Sequence, residues 1–177
     1  RDFWTIRLAV GPGALIPRPD SETLIEAAVA HFAGTPGPAR ILDLGTGPGT
    51  LLLAALAQWP RATGLGIDRS AAALAYATAN AAALGCAERV RFRIGDWTDG
   101  IADRFDLILA NPPYIADGEA LMRDVAEYEP ASALFAGPDG LNDYRHILPA
   151  LPALLAPDGI AVLEIGAGQL QQVQALA

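Results

Sequence analysis

The chain contains no lysine; all twelve of its basic residues are arginine. Chemistry that runs through a lysine amine, as a Schiff base or in a phosphate-binding P-loop, is thereby excluded. A single cysteine, Cys86, leaves no partner for an internal disulfide and fits a reducing compartment. With only two histidines beside it, a zinc site of the ordinary kind is excluded and no metal is expected. Every apolar run is interrupted by an acid, an arginine, a glycine or a proline before it reaches the length of a membrane span. No secretory signal pattern is present. Positive charge is also scarce, and twelve basic against twenty acidic residues give a net charge of −8 and a pI near 4.6. That balance argues against tight binding to duplex DNA, which draws on a basic face.

Apolar residues are abundant. They make up 52% of the 177 positions, with a mean hydropathy of +0.28, enough for the core of one domain and too much for disorder. Residues 3–10 read as a strand, Gly11-Pro12-Gly13 as a turn and residues 14–16 as a short return strand, a hairpin at the start of the chain. Asp20 or Ser21 is placed to cap a helix that carries Leu24, Ile25, Ala28, Val29 and Phe32 at helical spacing. After a break at residues 34–38, strands at 40–44, 63–68, 90–94, 105–110 and 160–165 alternate with helical segments. The helices are expected at 49–59, 71–84, 141–155 (interrupted near Pro149 and Pro152) and 169–177, with residues 118–128 partly helical. This alternation predicts an α/β fold with a mostly parallel sheet covered on both faces. Arg89, Arg91 and Arg93 alternate with Val90, Phe92 and Ile94. The pattern fits an edge strand with a charged, solvated face that discourages pairing; a nucleic-acid patch is the alternative.

Three stretches at the carboxyl ends of neighbouring predicted strands can line one crevice. The first, Asp43-Leu44-Gly45-Thr46-Gly47-Pro48-Gly49, joins a strand to its helix, and its glycines allow a tight turn and close approach of a ligand to the backbone. Its G-x-G-x-G register differs from the dinucleotide fingerprint, and it lacks a Walker ending. The second is Asp68, about 20 residues on, where a carboxylate accepts ribose hydroxyls. The third is Gly95-Asp96-Trp97, where an acid beside an aromatic can hold an exocyclic amino group and cover a purine face. Together they describe a nucleoside pocket with no demand for phosphate charge, favouring S-adenosylmethionine over a dinucleotide. Each piece also has a plainer role: a tight turn for the glycines, a helix cap near Ser70 for Asp68, core packing for Trp97.

Asn111-Pro112-Pro113-Tyr114 follows the apolar strand at 105–110, just past its carboxyl end. The two prolines lack N–H groups and fix their φ, and each pushes its predecessor toward extended backbone. The loop presents an amide, outward carbonyls and an aromatic ring, with no strong base and no nucleophile. That set suits group transfer onto an amide or amino nitrogen: the Asn111 side-chain oxygen and the Pro112 carbonyl accept the two N–H groups, and Tyr114 walls the pocket. Both a glutamine amide and the N6 amino group of adenine meet this description.

These stretches, with Phe3-Trp4, Leu15-Ile16-Pro17-Arg18-Pro19-Asp20-Ser21-Glu22, Glu129-Pro130 and Ala133-Leu134, resemble the HemK-type glutamine methyltransferases that modify peptide chain release factors. The resemblance covers nearly the whole chain. It implies a Rossmann-like class I methyltransferase with a seven-stranded sheet, and N5-methylation of the glutamine in the release factors' Gly-Gly-Gln motif in the cytoplasm. It implies that Gly45, Thr46, Gly47, Pro48 and Gly49 line the methionine part of S-adenosylmethionine, that Asp68 holds its ribose and that Trp97 contacts its adenine. It implies that Asn111, Pro112, Pro113 and Tyr114 receive the substrate amide, with Asn111 also beside the cofactor. Release factors are the implied partners; direct nucleic-acid binding and membrane association are not expected. The family carries a helical N-terminal domain and final strands without counterparts here. Residues 1–19 are accordingly expected to be a hairpin and linker from such a domain, and residues 20–177 a catalytic domain cut short at its C-terminal end. The alternative reading is an N6-adenine methyltransferase acting on DNA or RNA. Pro48 stands where a threonine is common in the family and suits the first turn of a helix. Arg18 and Glu22 are expected near the mouth of the site, without assigned roles.

Overall fold

The strands β3 (Arg40–Leu44) and β6 (Phe105–Ala110) lie side by side at the centre of a parallel sheet. The computed structural model describes residues 1–119 and 133–177. Among these, β4 (Thr63–Asp68) and β5 (Val90–Ile94) extend the sheet on one side and β7 (Leu155–Leu163) on the other, giving the order β5-β4-β3-β6-β7. Every pairing in this sheet is parallel. The chain therefore winds outward from β3 and crosses back to β6, leaving a topological switch point between β3 and β6 where open α/β sheets bind ligands.

Side chains that alternate along a strand point to opposite faces, so a strand buried on both faces is apolar throughout. Ile41, Leu107 and Leu109 face one core cluster, with Ile25 and Ala28 of α1 (Glu22–His31) and Leu52 to Leu56 of α2 (Thr50–Gln58). Leu42, Leu44, Ile108 and Ala110 face the other, with Ile147 of α4 (Asn142–Ile147) and Leu151 and Leu154 of α5 (Leu151–Leu154). The long helix α3 (Ala71–Ala83) packs beside β4 and β5, and α6 (Leu170–Leu176) closes the described chain. A 3-10 turn, Leu148–Ala150, separates α4 from α5, in keeping with the interruption expected at Pro149 and Pro152.

Several expectations need correction. The N-terminal hairpin exists but is shorter and earlier: β1 (Asp2–Phe3) pairs antiparallel with β2 (Ile6–Arg7). Its turn falls at Trp4, which adopts φ 51, and the Trp4 N–H donates to Glu22 Oε1 at 2.7 Å. Glu22 thus anchors this hairpin. Residues 14–16 form no return strand; the backbone turns at Gly11 to Ala14, where Ala14 N donates to Gly11 O at 3.2 Å, and continues irregular. The helix expected at 141–155 stops at Leu154, because β7 begins at Leu155 with an irregular register opposite Phe105 and Leu107. Asp158 at φ 64 marks that irregularity. Ser21 stands at the N-cap of α1, but its hydroxyl makes no capping bond. The expectations for residues 120–128 and Glu129-Pro130 lie outside the described residues.

β5 is an edge strand, as its alternating arginines suggest. The Arg89 guanidinium donates to the Ala62 and Leu56 carbonyls and Arg93 to the Asp99 and Gly100 carbonyls, so both tie the edge to neighbouring backbone. Ile94 is 63% exposed, so the apolar half of the alternation does not stay buried to the strand's end.

Asn80 is an isolated amide in the alanine-rich α3, and it is buried. It accepts from Ala9 N at 2.8 Å and donates to the carbonyls of Ala9 and Pro48, both at 2.9 Å, joining the N-terminal segment to the glycine loop. Truncating it leaves the buried Pro48 carbonyl and the part-buried Ala9 N–H and carbonyl without these partners. Asn80→Ala is expected to lower stability by about 2–4 kcal/mol, read as a lower denaturation midpoint at unchanged m-value.

Candidate active site

A cleft opens at the carboxyl ends of β4, β3 and β6. Gly45, Gly47, Asp68, Asp96, Trp97, Asn111 and Pro113 line it. A second cavity meets it and shares Gly45, Gly47 and Asn111; it is further lined by Arg18, Ser21, Asp43, Thr46, Pro48 and Thr50. Asn111 thus stands where the two spaces join. The mixture of apolar walls with a few convergent polar groups matches a small-molecule site.

The glycine loop is held in place by the end of β4. Thr46 N donates to Ile67 O at 2.9 Å, and Gly47 N donates to Asp68 Oδ2 at 2.8 Å. Gly45 and Gly47 both adopt positive φ, at 68° and 56°. At Gly45 an added Cβ would lie 2.9 Å from Trp97 Cζ3, whereas at Gly47 it would meet nothing within 4 Å. Gly47 therefore turns bare backbone toward open space, as close approach of a ligand requires. Gly49, with φ 87, lies in neither cavity; it starts α2 and fits against Leu53 and Ala77.

Asp68 serves both as a cavity wall and as an organiser. Its Oδ1 accepts from Ser70 N at 2.8 Å while Ser70 Oγ accepts from Ala73 N, so Ser70 is the cap of α3 and Asp68 steadies the cap. Each Asp68 oxygen keeps a further lone pair. Trp97, at φ 40, is buried in the core cluster and also edges the cleft. Its Nε1 donates to Asp143 Oδ1 at 3.0 Å. Burial raises the Asp143 carboxyl above its ordinary range, and this bond opposes the rise.

The Asn-Pro-Pro-Tyr loop is clamped from three sides. Asn111 Nδ2 donates to Ser21 Oγ at 3.0 Å. Pro112 and Pro113 are buried. Gln169 Nε2 donates to the Tyr114 carbonyl at 3.0 Å, and the same side chain accepts from Gly166 N. The Tyr114 ring packs with Leu141, Tyr144 and Val173 and is absent from the residues lining either cavity, as is Pro112. The geometry thus groups Asn111 and Pro113 with Gly45, Gly47, Asp68 and Trp97 at one cleft, and Thr46 and Pro48 at the adjoining one.

Four contributors escaped the sequence reading. Ser21 is singled out there only as a cap and as part of the stretch Leu15 to Glu22, and Gln169 and Asn80 are not singled out at all. Glu164 follows the apolar β7 as Asp68 ends β4, and that position was a usable signal. The segment at residues 13–15, which lines the cleft, was read as a hairpin arm.

Asp43 is 1% exposed. Its Oδ2 accepts from Thr46 Oγ1 at 2.6 Å and from Leu52 N at 3.3 Å, whereas Oδ1 has no partner among the described residues. Burial pushes the carboxyl up to about 7, against the pull of those two bonds. The folded state therefore keeps a proton that the unfolded chain releases near 3.8. Through this group, stability is greatest at acid pH and falls as pH rises from that value to about 7. Asp43→Asn cannot titrate. The wild-type minus variant difference in denaturation free energy is expected to decline across that window and to be flat above it.

The family described as "Methyltransferase domain" matches residues 38–164. A "Release factor glutamine methyltransferase" of Rhodospirillum rubrum is 51% identical over 99% of this chain and 54% of its own length. One of the same name from Cereibacter sphaeroides is 48% identical over 99% of this chain and 62% of its own length. The resemblance seen in the motifs is thus borne out, and the chain spans little more than half the length of these curated relatives. Among solved structures, a ribosomal protein L11 methylase from Lactobacillus delbrueckii subsp. bulgaricus superposes with TM-score 0.65 at 20% identity, covering 91% of this chain and 68% of that one; this shows a shared fold. A SAM-dependent methyltransferase from Thiobacillus denitrificans, solved with S-adenosyl-L-homocysteine, superposes with TM-score 0.51 at 26% identity, covering 82% of this chain and 48% of that one. With its Rossmann-like parallel sheet and a family match over most of its length, this chain belongs to the methyltransferase-domain family.

Proposed function

We propose that this chain supplies the catalytic domain of a cytoplasmic enzyme that transfers a methyl group from S-adenosylmethionine to the side-chain amide nitrogen of the glutamine in the Gly-Gly-Gln motif of peptide chain release factors. The observation that carries this reading is the place of Asn111: it follows the central strand β6, beside the glycine loop of β3, and lines both cavities. The relatives named above support the substrate class. We assign residues 20–177 to the catalytic domain and residues 1–19 to the hairpin and linker that lead into it.

The cleft fits the cofactor on three counts: bare backbone at Gly47, a half-buried carboxylate at Asp68 with lone pairs to spare, and an aromatic edge at Trp97. In this reading Gly45, Thr46, Gly47, Pro48 and Gly49 form the turn around its methionine part, Asp68 accepts from its ribose and Trp97 meets its adenine. When bound, it supplies an electrophilic methyl group on a sulfonium.

The chain's own residues then deal with a poor nucleophile. The lone pair of an amide nitrogen is delocalised into its carbonyl. In this reading Asn111 Oδ1, at the junction of the two cavities, accepts one N–H group and the Pro112 carbonyl, whose residue is itself buried beside that junction, accepts the other; together they orient the nitrogen and favour the positive charge that develops on it. Much of the rate comes from this alignment. Tyr114, packed against Leu141 and Tyr144, stiffens the loop from behind.

Asn111→Ala is expected to abolish methyl transfer while leaving cofactor affinity within about twofold, because the amide acceptor is lost and the nucleoside contacts remain. Asp68→Ala is expected to weaken cofactor binding by about tenfold or more. Both are read by calorimetric titration beside transfer of labelled methyl to a purified release factor, with a Gly-Gly-Gln→Gly-Gly-Asn substrate and an adenine-containing oligonucleotide as controls. Label on the oligonucleotide alone would overturn the substrate and leave the fold and cofactor site in place.

A further inference from the structure

Glu164 lies directly beyond β7, and its backbone is fixed at both ends. Its N–H donates to Ala110 O at 3.0 Å, and its carbonyl accepts from the buried Tyr144 hydroxyl at 2.9 Å. The residue after Ala110 is Asn111, so Glu164 and Asn111 leave the ends of adjacent strands together. Ser21, 3% exposed, stands between them. Its Oγ donates to Glu164 Oε2 at 2.5 Å and accepts from Asn111 Nδ2 at 3.0 Å.

The direction of this chain of bonds follows from proton count. An ionised carboxylate only accepts, so the single Ser21 hydroxyl proton points at Glu164. What Ser21 then offers Asn111 is a lone pair, which only the NH₂ end of the amide can meet. The opposite rotamer would set the Asn111 oxygen against that lone pair and leave two N–H groups turned away from their acceptor. The amide oxygen is thereby left for the cleft.

We propose that Ser21 and Glu164 are positioning residues that set the orientation of the Asn111 amide, presenting its oxygen to an incoming N–H donor. The inference rests on the reading of Asn111 as the acceptor for the substrate amide. It adds two residues, from the start of α1 and the end of β7, that touch neither the methyl group nor the nitrogen that receives it. The relay also has an acid limit. A protonated Glu164 can donate to Ser21, which frees the hydroxyl proton to turn to Asn111 and allows the amide to flip. Burial raises the Glu164 carboxyl above 4.5, with Asp20 adding to the rise and Ser21 and Arg18 opposing it. The ordered arrangement, which needs the ionised form, is therefore lost as pH falls through that raised value.

The test uses the full-length protein with its methyl acceptor, comparing wild type with Ser21→Ala, Ser21→Thr, Glu164→Gln and Asn111→Ala. Ser21→Ala is expected to lower kcat about tenfold or more while the cofactor dissociation constant stays within about twofold, and Ser21→Thr, which keeps the hydroxyl, to recover most of the rate. In wild type kcat falls on the acid side with a midpoint above the ordinary glutamate range, and in Glu164→Gln this limb disappears. A readout independent of turnover is the Asn111 side-chain NH₂ signal in nitrogen-15 NMR, assigned by its loss in Asn111→Ala. It should shift through the same pH range in wild type and stay fixed in Glu164→Gln. A wild-type kcat in Ser21→Ala, or an acid limb unchanged in Glu164→Gln, overturns the relay. Should Ser21→Ala fail to fold, the two Glu164→Gln profiles decide alone. Full activity in Asn111→Ala would sink the parent reading, whereas an inactive Asn111→Ala beside a normal Ser21→Ala sinks only the relay.

Discussion

The parallel pairing of β3 with β6 is the constraint on which the site depends. Ile41 to Leu44 lie opposite Leu107 to Ala110, so the two strands end level with one another. The glycine loop leaves one end and the Asn-Pro-Pro-Tyr loop leaves the other. The two loops therefore meet although more than sixty residues of chain separate them. The ladder is stable because both strands are apolar on both faces and helices cover each side. Nothing in either loop could secure the same proximity by itself.

Around that pairing, side chains hold the irregular backbone that the loops expose. Asp68 takes the Gly47 and Ser70 N–H groups, Asn80 takes Pro48, and Gln169 takes the Tyr114 carbonyl. A cleft at the end of a sheet leaves backbone polar groups beyond the reach of the ladder, and each needs a partner. Here the partners come from neighbouring elements. The walls of the cleft are consequently held from several directions at once. The same arrangement explains the burial of Asp43, whose carboxylate ties the Thr46 turn to the first turn of α2.

Much of this was legible from residue order. The alternation of elements, the apolar runs of β3 and β6, the prolines that divide the segment after Leu141 and the arginine-bearing edge at β5 all follow from local pattern. The hairpin was misplaced because Gly11-Pro12-Gly13 is the stronger local turn signal, while the actual turn at Trp4 relies on Glu22, a residue eighteen positions away. The break between α5 and β7 was misplaced for a similar reason: pairing with Phe105 draws Leu155 into the sheet. Ser21 has the side chain of a cap, and sequence spacing alone gave no reason to look for its partners on two other elements.

By itself, the sequence determined the fold class, the succession of strands and helices and the residue types at each strand end, since these rest on periodicity, turn chemistry and composition within a few residues. It also carried the motifs that mark the family, because glycines with positive φ and a proline-stiffened loop are written locally. Only the tertiary structure decided which strand ends become neighbours, that Tyr114 packs behind its loop instead of lining the cleft, and that Asn111, Ser21 and Glu164 form one chain of hydrogen bonds. The physical reason is that a hydrogen bond has a reach of about 3 Å and a direction, and both are set by the packing of elements far apart in the chain.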